Sequence, residues 1–152
     1  MSLVQVRDML DRVCEFHGHL SSYYHQLSDD ASQSRVKLIL NLLSQHEQGL
    51  REGLEAYERD ASKNVMDSWV DCPNCEEIRR RFDQLTSTGM DASLETVVEL
   101  CFSVDQCLFD FYREGEEHAP NARVKQVFHS LKDLQEGEVR KLAWSATQIN
   151  DA

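Results

Sequence analysis

Proline and glycine are scarce in this chain, with two prolines and six glycines in 152 residues. Long stretches carry no strong breaker, which favours helix. Apolar runs are short too. None approaches the roughly 20 residues that a membrane-spanning helix needs. Basic residues are outnumbered, 16 Lys and Arg against 27 Asp and Glu, for a formal net charge of −11. A field of that sign repels phosphate backbones and anionic lipid surfaces, so neither nucleic acid nor a membrane is an expected partner. The N-terminal stretch Met1 to Asp8 lacks the charged-then-apolar layout of a signal segment, and a cytoplasmic location is expected. No Gly-rich phosphate loop, nucleophile elbow or HExxH motif occurs.

The five cysteines are Cys14, Cys72, Cys75, Cys101 and Cys107. An odd count in a chain of this length argues against a disulfide-stapled scaffold. Cys14, Cys101 and Cys107 lie in helical apolar patterns, where a free cysteine acts as a small buried hydrophobe. Cys72-Pro73-Asn74-Cys75 is a CxxC at a predicted helix start, and a helix N-terminus stabilises thiolate. A zinc ribbon needs a second CxxC and a thioredoxin-like site needs strands, and neither is apparent. A structural or surface role is expected for Cys72 and Cys75. Zinc or redox use stays open, including a Cys₄ zinc site pooled across a dimer.

What the chain does hold is helical periodicity, in four long segments. Leu10, Val13, His17, Leu20, Tyr24 and Leu27 recur at spacings of three and four. So do Val36, Leu40, Leu43, Glu47, Leu50, Leu54 and Tyr57. The third series is Leu94, Val98, Cys101, Asp105, Leu108 and Tyr112; the fourth is Val124, Phe128, Leu131, Gln135, Glu138, Leu142 and Ile149. Such series are the core-facing seams of bundle helices. Ser28 to Ser32 reads as the first turn, and Pro120 as the first turn of the fourth helix. The expected organisation is all-α and a single domain over 1–152. It comprises a hairpin over 3–62, a crossover over 63–91 with a short helix near 73–86, and a hairpin over 92–149.

An 88-residue shift brings the halves into register without a gap. Arg35-Val36-Lys37 falls on Arg123-Val124-Lys125, Leu20 on Leu108, Tyr24 on Tyr112, Gly49 on Gly137 and Leu54 on Leu142. Two short-looped hairpins joined by a long crossover is ferritin-like wiring.

In this pattern and length, over nearly the whole chain, the sequence resembles the ferritin-like superfamily, nearest its rubrerythrin-type members. The resemblance implies a four-helix bundle with a central di-iron site. Its ligands are a Glu seven residues before an aromatic on the first and third helices, and Glu-x-x-His on the second and fourth. Residues at i and i+3 share a helix face, so both can point inward at a metal. Here the first- and third-helix positions are His17, seven before Tyr24, and Asp105, seven before Tyr112. The paired positions are Glu47 with Leu50, and Gln135 with Glu138. Both expected histidines and three of the four expected glutamates are replaced.

Three arrangements of this polar seam are open. Its members hydrogen-bond one another or water; or His17, Glu47, Asp105 and Glu138 form an altered, mononuclear metal site; or the fourth helix is turned by one residue, with Glu136 inward. Of the histidines, which also include His19, His25, His46, His118 and His129, most are expected in solvent. Because the paired Glu-x-x-His motifs are lost, the expected role is a non-catalytic structural or protein-interaction module, homo-oligomeric (dimeric) and without a cofactor. The alternative is an oxidoreductase or metal-handling protein with an altered central site that uses iron or manganese; zinc, tied to Cys72 and Cys75, is less expected.

Overall fold

A computed structural model describes residues 3–71, 80, 83–84 and 93–151. Four long helices dominate it: α1 (Val6–Asp30), α2 (Ser34–Asp60), α4 (Leu94–Glu117) and α5 (Ala122–Asp151). Between α2 and α4 lies a four-residue helix, α3 (Lys63–Met66). Strands β1 (Leu3–Gln5) and β2 (Trp69–Asp71) pair antiparallel, with Val4 opposite Val70. No helix among the described residues is long and apolar enough to cross a membrane.

The helices form where the apolar spacing foretells them. α1 packs on α2, α4 on α5, and α2 on α5. Their seams merge into one apolar cluster that includes Leu10, Leu20, Leu43, Leu54, Val97, Leu108, Phe128 and Leu131. Each buried leucine of this kind stabilises the fold by roughly 1.5–3 kcal/mol relative to an exposed one. The opposite faces are polar, as an amphipathic helix requires. Leu94 stands 88 residues after Val6, and Ala122 stands 88 after Ser34, so both pairs of long helices start in step.

Local chemistry sets the helix ends. Ser93 caps α4 by accepting the Thr96 N–H at 3.2 Å, and Ser62 caps α3 through Val65 N–H. The Asn121 side chain accepts the Val124 N–H at 2.9 Å and so starts α5. This corrects the expectation for Pro120, which precedes the cap rather than occupying the first helical turn. Likewise Ser28 to Asp30 continue α1 instead of turning. The Ser28 hydroxyl is buried and donates across the hairpin to the Lys37 carbonyl at 3.3 Å, so it serves packing.

The two short strands depart from the purely helical expectation, and α3 is a helix that the spacing did not mark. Three-residue strands have no periodicity to read, and their pairing joins residues more than 60 apart. A 2.5 Å Arg7–Asp67 ion pair and the Val6 N–H bond to the Ser68 carbonyl hold this end of the crossover to the start of α1. Cys72, Cys75 and most of the 73–86 segment lie outside the described residues.

Candidate metal centre

Consecutive residues on a helix point about 100° apart. His46 and Glu47 therefore straddle the seam of α2 and reach two different neighbours. Glu47 turns to α1, where its Oε2 lies 2.5 Å from His17 Nδ1. His46 turns to α4, where its Nε2 lies 3.0 and 3.1 Å from the two Asp105 oxygens. Gln135 of α5 then donates from Nε2 to Asp105 Oδ1 at 3.0 Å. The result is one polar line across all four long helices: His17, Glu47, His46, Asp105, Gln135. Every member is buried, from 0 % exposure at His17 and Glu47 to 5 % at His46.

Desolvation governs the protonation states. Burial pushes the His17 imidazolium down to about 3; the Asp105 charge opposes this and His46 adds to it. Burial, then the Asp105 charge, pushes the Glu47 carboxyl well above the usual carboxylate range, while His46 pulls it back. Both groups thus favour their neutral forms, with the Glu47 carboxyl donating to His17 Nδ1. His46 goes the other way. Burial opposes its charge, but the Asp105 hydrogen bond and charge, aided by Glu47 and Glu138, prevail and raise it. It then donates from Nε2–H to the Asp105 carboxylate.

The line leaves polar atoms over. His17 Nε2, His46 Nδ1 and Glu47 Oε1 are buried without a hydrogen-bond partner, as is the Tyr112 hydroxyl. Such atoms cost about 1–3 kcal/mol each when they stay unpartnered, and a cluster of them calls for an ordered water, an ion or a chemical role to account for it. Beside them stands Cys101, fully buried on α4 one turn before Asp105. Burial, followed by the Asp105 and Glu47 charges, holds its thiol well above its ordinary value. One ligand atom each from His46, Cys101 and Asp105 lie within 4.8 Å of one another.

Three of the four expected ligands, His17, Glu47 and Asp105, meet in this centre. Glu138 sits at its edge. Its carboxylate pairs with Lys141 at 3.1 Å and acts on His46 only through its field. The fourth-helix register is the one with Gln135 inward; Glu136 is half-buried on the flank, which overturns the one-residue turn. His46 is buried, an exception to the expectation that most of the histidines are solvated. It lies three residues after Leu43 and four before Leu50, so the seam spacing also admits it. Cys101 is buried as expected, and its place beside Asp105 and His46 is what the spacing left unseen. The other histidines, His19, His25, His118 and His129, are exposed.

The di-iron ligand set does not fit these residues. Its imidazole positions hold Leu50, 1 % exposed, and Glu138; two of its carboxylate positions hold His17 and Gln135. A single ion among nitrogen, sulfur and oxygen donors does fit.

Solvent approaches the centre on one side. A groove of about 420 Å³ between α4 and α5 is walled by Phe102, Phe109 and Val139 and reaches Asp105 and Gln135. On the α1–α2 face the helices are cross-braced. Ser21 and Ser44 each donate to the other's carbonyl, at 3.1 and 2.9 Å. No protein-family model, curated protein or solved structure matches the chain.

Proposed function

We propose that the chain is a ferritin-like four-helix bundle, made by duplication of a helical hairpin, whose polar centre binds a transition-metal ion. The duplication is supported by the helix starts 88 residues apart. It is also supported by the bonds His17–Glu47 and Asp105–Gln135, each joining residues 30 apart at equivalent places in the two halves. Metal binding rests above all on one observation. Three imidazole and carboxyl atoms in one buried centre, on His17, His46 and Glu47, have no partner. Buried charges and lone pairs of this kind persist when paired or metal-bound. A metal-handling or oxidoreductase role follows, reached through the α4–α5 groove.

The test is elemental analysis of protein expressed in medium supplied with iron, manganese and zinc and purified without chelator. One ion per chain, lost in the Asp105→Ala variant, supports the reading. A metal-free chain that takes up no added divalent ion overturns it.

A second reading, a non-catalytic structural or interaction module, is favoured by the internal pairing of the charged groups. Glu47 is partnered by His17, and Asp105 by His46 and Gln135. It expects a metal-free chain that associates with itself or another protein, measurable by sedimentation.

A further inference from the structure

We infer that His46, Cys101 and Asp105 form a mononuclear site for a borderline-soft divalent cation of the zinc class, with the Cys101 sulfur as a ligand. The inference rests on the metal-binding reading and makes it specific. Its first support is geometry. The three side chains come from two helices, their donor atoms gather within 4.8 Å, and all three are buried. The second is independent. His46 keeps a buried ring nitrogen, Nδ1, with no partner, and the neighbouring Glu47 keeps Oε1 in the same state.

Donor chemistry then selects the ion. Magnesium and calcium take oxygen ligands, six or more, which one carboxylate in an N/S/O set does not supply. Imidazole, thiolate and carboxylate together suit zinc, and cobalt(II) in its place, in a four-coordinate site. Three protein ligands leave one position for water or another small ligand. Asp105 alone of the three lines the α4–α5 groove, so the ion is approached from its side. Gln135, bonded to Asp105 Oδ1, holds that carboxylate in place as supporting residues of metal sites do. On binding, the Cys101 thiol and the His46 imidazolium each lose a proton to water, the S–H bond and one ring N–H bond are exchanged for metal–sulfur and metal–nitrogen bonds, and no oxidation state changes.

Cys101 also fills core space, for its counterpart 88 residues earlier is Val13. Cobalt(II) distinguishes the two roles. The full chain is stripped with chelator and titrated with Co(II), and near-ultraviolet thiolate-to-cobalt charge-transfer absorption is followed. One equivalent is expected to raise that band. The band is expected to vanish in Cys101→Ser and to persist in the Cys72→Ser/Cys75→Ser variant. Cys101→Ser is also expected to weaken binding beyond the roughly 10–100-fold that loss of a supporting residue costs. Should Cys101→Ser fail to fold by circular dichroism, a chain carrying C14A, C72S, C75S and C107A keeps Cys101 as its sole cysteine and must still give the band. Co(II) uptake without the band, or a band that survives Cys101→Ser, overturns this site while leaving the metal-binding reading intact. No uptake of any divalent ion by the folded chain overturns both.

Discussion

His46 of α2 and Asp105 of α4 are joined across 59 residues of sequence, and their bond links the two hairpins' own polar pairs into one line. Within the first hairpin His17 meets Glu47, and within the second Asp105 meets Gln135. Without His46 these would be two separate internal hydrogen bonds. With it, the centre has a charged bridge, and removing either end strands the other.

The first prediction concerns that bridge. Asp105→Leu leaves a buried imidazole without its counter-charge and is expected to destabilise the fold by about 3–5 kcal/mol. Adding His46→Leu should recover part of the loss, because two apolar groups replace a broken pair. Urea unfolding of the two single variants and the double variant measures the coupling. Simple additivity would show that the two side chains do not act as a pair.

A second prediction is the pH profile of the metal-free protein. Unfolded, His17 and His46 titrate near 6.5 and Glu47 near 4.5. Folded, His17 is lowered to about 3, while Glu47 and His46 are raised. Glu47 and His46 keep protons in the folded state that the unfolded chain gives up sooner, whereas His17 sheds its proton sooner in the folded state. Above pH 6.5, where the unfolded histidines are neutral, the folded state still favours these protons, and stability falls as pH rises. Below pH 4.5 the unfolded state holds one more, on His17, and stability falls again towards about pH 3. Thermal unfolding from pH 3 to 9 reads the profile; a midpoint that climbs from pH 6.5 to 8.5 would contradict it.

Gly115 gives a third prediction. A Cβ built there would lie 2.4 Å from Cδ1 of the buried Phe128 ring, which is held edge-on to Phe111. Gly115→Ala therefore forces α4 and α5 apart, and the overpacking is expected to cost about 1–3 kcal/mol despite alanine's better helix propensity. A rise in the chemical midpoint for this variant would argue that the close approach is absent.

A fourth prediction contrasts two leucines. Leu108 is fully buried in the shared core, whereas Leu38 is 52 % exposed on α2. Leu108→Ala should cost about 2–5 kcal/mol through lost burial and the cavity left behind. Leu38→Ala should stay within about 0.5 kcal/mol. Equal losses would mean that the α4 seam does not face the core.

Much of this architecture could be read locally. Leu10, Leu20, Leu43, Leu54, Leu108 and Leu131 announce their helices and buried faces because burying one side of a helix imposes a spacing of three and four. The same rule placed His17, Glu47, Asp105 and Gln135 inward, since they interrupt the apolar series in step. It missed His46, because a histidine beside the seam looks alike whether it faces solvent or a neighbouring helix. It also left β1 and β2 unseen, because three-residue strands carry no period and exist only through their pairing.

The sequence by itself determined four amphipathic helices, the lengths of their connections and the polar interruptions of their seams, all consequences of chemistry within a few residues. Tertiary structure decided which of those interruptions meet. Glu47 bonds His17 while the adjacent His46 bonds Asp105, Glu138 remains at the edge with Lys141, and Cys101 comes beside Asp105 and His46. Those choices depend on how far each helix is rotated and shifted against the next. That setting is fixed by packing summed over the whole core, and no short window of sequence contains it.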